Sequence, residues 1–216
     1  MPDILVINPN SNQAVTDNMS EAVEGLRFAG GPNIRCVTLD EGPVGIETQA
    51  HIDAVVDPIV QLIGKSTADA FVIGCYSDPG LVASREVVKK PVFGLQQAAL
   101  TTALQQCQNL GVLAMSEMSI SRHLAYIERL GFLPFLAAER PLNMSVDEGR
   151  QATNYNRVLE VGKKLVSDDK AQSVVLGCAG LACHRKALEA DLGVPVIDPV
   201  QAATAQALVA VLNSNN

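Results

Sequence analysis

The sequence has 216 residues, of which 48% are apolar and 18% are charged, and 16 Lys and Arg against 23 Asp and Glu give a net charge of −7. This composition is too apolar for a disordered chain and predicts a protein with a buried core. The acidic balance excludes an electrostatic basis for binding nucleic acid or an anionic membrane, because both require a basic face.

The sequence shows no signal for a membrane or secreted location. Its longest early apolar run, at 4–7, is far shorter than the roughly 20 residues of a membrane span, and no basic segment typical of a signal peptide precedes it. Five cysteines are an odd number, which argues against a secreted disulfide framework. We therefore expect a cytoplasmic protein with reduced thiols and with no membrane or nucleic-acid partner.

Short apolar segments alternate along the chain with segments of helical period. Strands are predicted at 4–7, 34–39, 70–74, 91–94, 110–115, 132–136, 173–177 and 194–197. Apolar residues at helical spacing fill most of the intervals between them. This alternation predicts an α/β fold with mostly parallel sheets flanked by helices.

An internal repeat divides the chain into two similar units. Residues 91–104 align without gaps on 195–208 with seven of fourteen identities, an offset of 104, and 70–75 resembles 173–178 at an offset of 103. We therefore predict two lobes of about 100 residues each. The helices that follow 91–94 and 194–197 are expected to cross between them, which places residues 1–97 plus 199–216 in the first lobe and 98–198 in the second.

In each unit an apolar strand ends in a Gly-Cys pair, at Cys75 and at Cys178. Ligands of open α/β sheets bind beyond the carboxyl ends of the strands, where a thiol is placed for chemistry. Two thiols related by pseudo-twofold symmetry would approach a bound carbon from opposite faces, so that one removes a proton and the other returns one. A nearby helix N-terminus is expected to lower the thiol pKa. The alternative is two inert core cysteines.

The segments after the first strand of each unit are candidate ligand loops. Segment 8–12 (NPNSN) contains good helix-capping residues, and a cap at the carboxyl end of a strand presents amide and hydroxyl groups to an anion. The equivalent stretch in the second unit contains Met115 and Ser116. The glycine-bearing loop at 41–47 is a candidate lid over the site.

Four segments together resemble the hydantoin racemase family: 7–11 (INPNS), 45–47 (GIE), 74–80 (GCYSDPG) and 177–180 (GCAG). That family lies in the cofactor-independent aspartate/glutamate racemase superfamily, which also contains allantoin racemase. The resemblance covers nearly the whole chain and implies two pseudo-symmetric Rossmann-like lobes, an active site between them, and Cys75 and Cys178 as the catalytic residues. The substrate-binding residues that follow from it and from the repeat are Asn10, Ser11, Gly45, Ile46, Tyr76, Ser77, Met115, Ser116, Ala179 and Gly180.

The resemblance implies racemisation at C5 of a 5-substituted hydantoin, or of allantoin, by two-base proton transfer. The C5 carbanion can delocalise as an enolate, and backbone N–H groups beyond Asn10, Ser77 and Gly180 are expected to bind the ring carbonyls. Arylmalonate decarboxylases resemble the superfamily but keep only the second cysteine, so the presence of both favours racemisation. We expect a small-molecule substrate, no cofactor, no metal and a homo-oligomer.

Two alternatives stay open at the level of the sequence. A lyase or cis–trans isomerase acting on a small dicarboxylate such as maleate would need an arginine in the site, and Arg85, Arg122 and Arg140 are the candidates. A non-catalytic binder of small molecules would use both cysteines structurally, and its thiols would react slowly with alkylating reagents.

Other residues are interpreted as structural. Cys183 and His184 lack the companion ligands of a zinc site, and His51 and His123 fall at helical positions expected to be partly exposed. Cys36 and Cys107 are expected in the core. The chain contains no Gly-x-Gly-x-x-Gly segment opening a helix and no P-loop, which leaves nucleotide chemistry without a phosphate-binding loop.

Overall fold

The computed structural model describes residues 1–214, and its strands form two sheets in which every neighbouring pair is parallel. The first sheet, in spatial order, consists of β2 (Asn33–Thr38), β1 (Asp3–Asn8), β3 (Ala70–Ile73) and β4 (Val92–Gly94). The second consists of β6 (Leu136–Pro141), β5 (Leu110–Ala114), β7 (Ser173–Leu176) and β8 (Val196–Ile197). The strand orders 2-1-3-4 and 6-5-7-8 are equivalent, and the predicted α/β fold of two lobes is confirmed.

Helices cover both sheets, as parallel sheets require. They are α1 (Gln13–Ala22), α2 (Gln49–Lys65), α3 (Leu81–Val87), α4 (Leu95–Leu104), α5 (Glu117–Arg129), α6 (Val146–Gly149), α7 (Tyr155–Ser167), α8 (Arg185–Leu192) and α9 (Pro199–Ser214). The central strands β3, β5 and β7 are buried along their whole length, which explains why their sequences are continuous apolar runs rather than alternating ones.

Helices α4 and α9 connect the two lobes. Helix α4 leaves the first sheet at β4 and packs against β5, β7 and β8 of the second, whereas α9 leaves the second sheet and packs against β1, β3 and β4 of the first. The two helices also pack on each other, and Gln206 Nε2 donates a hydrogen bond to the Ala98 carbonyl at 3.2 Å. The division into 1–97 plus 199–216 and 98–198 stays a prediction, and its residues 215–216 lie outside the described residues.

One predicted strand is misplaced. The apolar residues at 132–136 predict a strand, but Leu133–Phe135 form a 3₁₀ turn, and β6 begins only at Leu136. Pro134 has no N–H to donate to a sheet, and Gly131 closes the preceding helix in the left-handed region at φ +77°. The strand itself has the mixed sequence LAAERP and is half-buried along its length, because it lies at the edge of the sheet.

None of the helices within residues 1–214 combines the length and the apolar character that a membrane crossing requires. All five cysteines are free. Cys36 and Cys107 are half-buried, and Cys107 Sγ lies 3.0 Å from Ser173 Oγ.

Candidate active site

A cavity of about 340 Å³ lies between the lobes, at the carboxyl ends of the central strands. Asn10 enters it from the loop after β1 and Cys75 from the end of β3. Met115 and Cys178 enter it from the equivalent strands β5 and β7 of the second lobe. The topology thus brings the two Gly-Cys segments to one site, since parallel strands end at the same edge of each sheet.

The glycine before each cysteine is required by the neighbouring strand. A Cβ on Gly74 would lie 2.7 Å from the Ile7 carbonyl oxygen, and one on Gly177 would lie 2.4 Å from that of Leu113. Both glycine N–H groups donate to these same carbonyls, at 2.7 and 2.8 Å. Each glycine therefore allows the backbone to approach the adjacent central strand closely. This contact fixes the point at which each cysteine leaves its sheet.

The two thiols are held in their neutral form, contrary to the expected lowering of their pKa. Burial raises the pKa of Cys75 to about 12, and the charge of Cys178 raises it in the same direction. Burial raises the pKa of Cys178 to about 11, with a smaller contribution from the charge of Glu47. Helix dipoles do not compensate, because α3 begins only at Leu81 and the turn after Cys178 is a short 3₁₀ segment.

Backbone N–H groups near the cysteines point to sulfur rather than to the cavity. Gly180 N–H donates to Cys178 Sγ at 3.3 Å, and Ser77 N–H favours the Cys75 thiolate in the same way. Ser11 N–H donates to the Pro43 carbonyl at 3.0 Å. The amides beyond Asn10, Ser77 and Gly180 are those of Ser11, Asp78 and Leu181, and the last two donate to the Cys75 and Cys178 carbonyls at 3.0 and 3.1 Å. Each of the three already has an acceptor in the protein, which argues against the expectation that they bind the ring carbonyls.

Side chains of the loop after β1 hold one another and leave one donor free. Asn10 Oδ1 accepts hydrogen bonds from Asn8 Nδ2 at 3.0 Å and from Asn12 N–H at 2.9 Å. Asn8 Nδ2 also contacts Thr16 Oγ1 at 2.9 Å, and the whole cluster is largely buried. Because the Asn10 oxygen is occupied, its Nδ2 amide is the group available to a ligand in the cavity that Asn10 lines.

The second lobe provides Met115, Ser116 and the loop after β6. Ser116 caps α5, where its Oγ accepts from Met118 N–H at 3.2 Å, and it lines the cavity together with Met115. The chain then returns to the cavity at 143–146, after Asn143 adopts a left-handed conformation at φ +54°. The sequence did not predict that residues 143–146 line the cavity, because they follow strand β6, which was predicted several residues too early.

The predicted binding residues divide into those that line the cavity and those that support it. Ile46 and Glu47 line it from the glycine-bearing loop, whereas Gly45 lies behind them, where an added Cβ would be 3.7 Å from Val146 Cγ2. The other predicted binding residues that line it are Asn10, Tyr76, Ser77, Met115, Ser116 and Ala179. Ser11, Gly45 and Gly180 do not line it.

A buried carboxylate and an imidazole stand behind Ser77. His123 Nδ1 lies 2.6 Å from Glu139 Oε1, with side-chain exposures of 4% and 0%, and His123 Nε2 lies 3.5 Å from Ser77 Oγ. The His123 ring also makes an edge contact with Tyr76, with 5.1 Å between the ring centroids. His123 is therefore buried, and the expectation of a partly exposed helix position is wrong.

Of the three candidate arginines, only Arg122 lines the cavity. Arg85 donates to the Val92 carbonyl at 2.9 Å and to Gln97 at 3.0 Å. Arg140 forms an ion pair with Asp169 at 2.5 Å.

The described part of the chain contains no cluster of three or more His, Cys, Asp or Glu arranged to hold a metal ion. His184 is buried, with Nε2 2.9 Å from the Gly149 carbonyl oxygen, and Cys183 is exposed. These contacts agree with the structural interpretation of both residues.

The chain is similar to known proteins along nearly its whole length. A model of the family described as Asp/Glu/Hydantoin racemase matches residues 4–207. The chain belongs to this family. It is 32% identical to a hydantoin racemase of Paenarthrobacter aurescens, over 96% of this chain and 91% of that protein. It is 31% identical to a hydantoin racemase of Pseudomonas sp. (strain NS671), over 92% and 82% of the two chains.

A solved structure also resembles this member of the racemase family. The allantoin racemase from Klebsiella pneumoniae superposes with a TM-score of 0.93 at 26% identity, covering 99% of this chain and 89% of that one. The resemblance predicted from four short segments is thereby confirmed at the level of family and fold. The signal for the His123–Glu139 pair was absent from the sequence, because its members lie on different elements 16 residues apart.

Proposed function

We propose that this member of the racemase family inverts the C5 centre of a 5-substituted hydantoin, a class that includes allantoin, by proton transfer between Cys75 and Cys178. The observation that carries the proposal is that both thiols line one cavity from equivalent strand ends of two lobes. Family membership and the relatives named hydantoin racemase support the choice of reaction. Cytoplasmic location and a homo-oligomeric state stay predictions.

The reaction is a pair of proton transfers with no net change in composition. A thiolate on one face takes the C5 proton and becomes a thiol, and the electron pair of the C–H bond delocalises into the ring carbonyl as an enolate. The thiol on the other face then gives its proton to C5 and becomes a thiolate. Proton exchange with water resets the pair, and the two cysteines exchange roles for the opposite enantiomer.

The electrostatics of the site keep both thiols neutral near pH 7 and oppose a doubly ionised pair. Burial disfavours each thiolate, and the charge of Cys178 raises the pKa of Cys75 further, so a second ionisation is opposed by the first. Two-base chemistry needs a singly ionised pair, with one thiolate as the base and one thiol as the acid, so one of the two thiols must first lose its proton. A raised thiol pKa also makes the thiolate a stronger base, because the thiol pKa then lies closer to the pKa of the weakly acidic C5–H group.

Two side chains are placed to hold the ring. The free Nδ2 amide of Asn10 is a donor for a ring carbonyl, where enolate charge develops. An ionised Glu139 only accepts hydrogen bonds, so His123 Nδ1–H donates to it and leaves Nε2 as an acceptor for the Ser77 hydroxyl. The oxygen of Ser77 is then free to accept a hydrogen bond from a ring N–H.

Optical rotation and proton exchange test the proposal directly. The wild-type protein should racemise D- and L-5-substituted hydantoins, and in D₂O the inverted product should carry deuterium at C5. Cys75→Ser and Cys178→Ser should each lose racemisation by roughly a thousandfold, since each removes one of the two proton carriers. Each variant should still exchange the C5 proton of one enantiomer, and the two variants should prefer opposite enantiomers.

Cys183→Ser is the matched control, because this thiol is exposed, follows Cys178 by five residues and does not line the cavity. It should racemise like the wild type. Wild-type racemisation by both active-site variants would overturn the two-base proposal. The panel includes maleate as substrate, so conversion of maleate alone would identify the dicarboxylate isomerase instead, and binding without any proton exchange would identify the non-catalytic binder.

A further inference from the structure

The guanidinium of Arg122 lines the cavity without a partner for its buried Nε. This nitrogen has no hydrogen-bond acceptor among residues 1–214. Its charge acts on Glu139, whose Oε1 contacts His123. The buried Oε2 of Glu139 has no hydrogen-bond partner within residues 1–214 either, so no hydrogen bond joins Arg122 to this carboxylate. Arg85 and Arg140, in contrast, are both held by acceptors of the protein itself.

A buried donor without an acceptor is costly, and a cation among apolar side chains attracts an anion. The cavity lining combines apolar side chains such as Met115, Met118 and Val146 with uncharged polar ones such as Ser119 and Asn143. A bound molecule that brings its own acceptor would therefore gain a hydrogen bond to a charged donor, which is among the stronger contacts in a site of this kind.

The charges of the cavity are distributed unequally between its two thiols. The charge of Arg122 acts on Cys75 together with the opposing charge of Asp78, whereas the charge of Glu47 acts on Cys178. Arg122 and Glu47 line the cavity, and Asp78 does not. An anionic group on the substrate is thus drawn towards helix α5 and repelled from the loop that carries Glu47. The ring itself has other partners in Asn10 and Ser77, so the group that meets Arg122 is a substituent.

We propose that the substrate carries a carboxylate on its C5 substituent and that Arg122 binds this carboxylate while the ring lies between the thiols. The inference rests on the proposed function and specifies its substrate class. A cavity of about 340 Å³ is at the lower end for small-ligand sites, which favours a substituent of one or two methylene groups. A 5-(carboxyalkyl)hydantoin, the cyclic ureide of an acidic amino acid, fits this description.

The test compares 5-(2-carboxyethyl)hydantoin with its neutral isostere 5-(2-carbamoylethyl)hydantoin. The wild-type kcat/KM should be at least tenfold higher for the carboxylate, and Arg122→Gln should lower the ratio of the two values by roughly 30-fold. Arg129→Gln is the matched control, because it removes the same charge from the same helix at a residue that stacks on Tyr126 and does not line the cavity. It should leave the ratio unchanged.

Each outcome decides the inference. An equal loss on both substrates in Arg122→Gln would assign the arginine to the ring or to folding and overturn the proposal. Failure to racemise any hydantoin would contradict the proposed function instead, and calorimetric binding of the carboxylate compound would then test Arg122 alone. Binding at least tenfold weaker in Arg122→Gln than in Arg129→Gln supports the carboxylate site, and equal binding overturns it.

Discussion

The carboxylate of Asp78 occupies the space that a side chain at Gly94 would need. A Cβ added to Gly94 would lie 2.3 Å from Asp78 Cγ, and the two carboxylate oxygens accept hydrogen bonds from Gln96 and Gln97 N–H at 3.0 and 3.1 Å. The carboxylate therefore caps helix α4 from a loop that lies far away in sequence.

The second unit builds the same cap from a different position. Asp198 aligns with Gly94 in the repeat, and its Oδ1 accepts from Val200 N–H at 2.7 Å and from Gln201 N–H at 3.1 Å at the start of α9. The repeat has thus kept the carboxylate at the helix N-terminus while moving the residue that supplies it. Burial raises the pKa of both groups, to about 7 for Asp78 and about 6 for Asp198.

This relationship predicts a compensating pair of substitutions. Asp78→Gly should lower the free energy of unfolding by about 1–2 kcal/mol, because α4 loses its cap. Gly94→Asp alone should also destabilise, since two carboxylates would compete for one space. The double variant reproduces the arrangement of Asp198. Its loss of unfolding free energy should be smaller, by at least about 1 kcal/mol, than the sum of the losses in the two single variants. Urea unfolding at pH 8.5, where the caps are ionised, measures all four proteins, and strictly additive effects would contradict the exchange.

The raised pKa values of the thiols predict that the enzyme gains activity with pH. The proposed two-base mechanism needs one thiolate, and burial raises the pKa of the more acidic thiol, Cys178, to about 11. The thiolate fraction, and with it kcat/KM, should therefore rise about tenfold per pH unit between pH 7 and 8.5. Rates are measured by polarimetry after subtraction of the rate with Cys75→Ser, which contains no functional pair. A plateau already at pH 7 would show that the free enzyme ionises a thiol at a much lower pH.

The same pKa values change how thiol labelling should be interpreted. Iodoacetamide reacts with thiolates, so at pH 7.5 the exposed Cys183 should be alkylated well before Cys75 and Cys178. Slow labelling at neutral pH is thus expected of a catalyst as well as of a binder. Peptide mass spectrometry should show that labelling of both active-site cysteines accelerates towards pH 10 and is blocked by a bound hydantoin. Rapid labelling of both at pH 7.5 would contradict the raised pKa values.

The buried pair behind Ser77 should control ring binding rather than folding. Glu139→Gln keeps the shape but removes the charge that orients His123, and we expect roughly a 10- to 100-fold loss of kcat/KM, mostly in KM. Ser77→Ala should produce a similar loss, and the double variant should be little worse than either. Glu128→Gln, at an exposed position of helix α5, which carries His123, is the control. If the losses of kcat/KM in the two single variants multiplied fully in the double variant, Ser77 would act independently of His123 and Glu139.

The sequence predicted the sheets well, because their central strands are uninterrupted apolar runs and the repeat supplied a second copy of each signal. The edge strand β6 was placed too early, since a half-buried edge has a mixed sequence and an apolar turn precedes it. The position of both cysteines followed from strand ends. Their ionisation did not, because it depends on burial in the folded cavity and, for Cys75, on the charge of Cys178, which lies about 100 residues away along the chain.

The residues missed at the site are those whose partners lie elsewhere in the chain. Glu139 sits in a strand with the sequence LAAERP, where a charged residue at a sheet edge normally faces water. Only the packing of α5 on β6 turns it inward to meet His123. Arg122 was one of three candidate arginines. It differs from Arg85 and Arg140 because its buried Nε finds no acceptor within residues 1–214, which no sequence pattern encodes.

The glycines before the cysteines provide a last test, because their role is steric rather than chemical. In Gly177→Ala the new Cβ would lie 2.4 Å from the Leu113 carbonyl oxygen, so the strand pair must separate, at a cost of about 2–3 kcal/mol. Gly74→Ala, at 2.7 Å from the Ile7 oxygen, should destabilise somewhat less. Gly64→Ala in helix α2 has open space around its Cβ and should instead stabilise by about 0.5–1 kcal/mol. Urea unfolding measures the free energy of unfolding of the three variants. If Gly177→Ala were as stable as Gly64→Ala, the close contact with the neighbouring strand would not fix the end of β7.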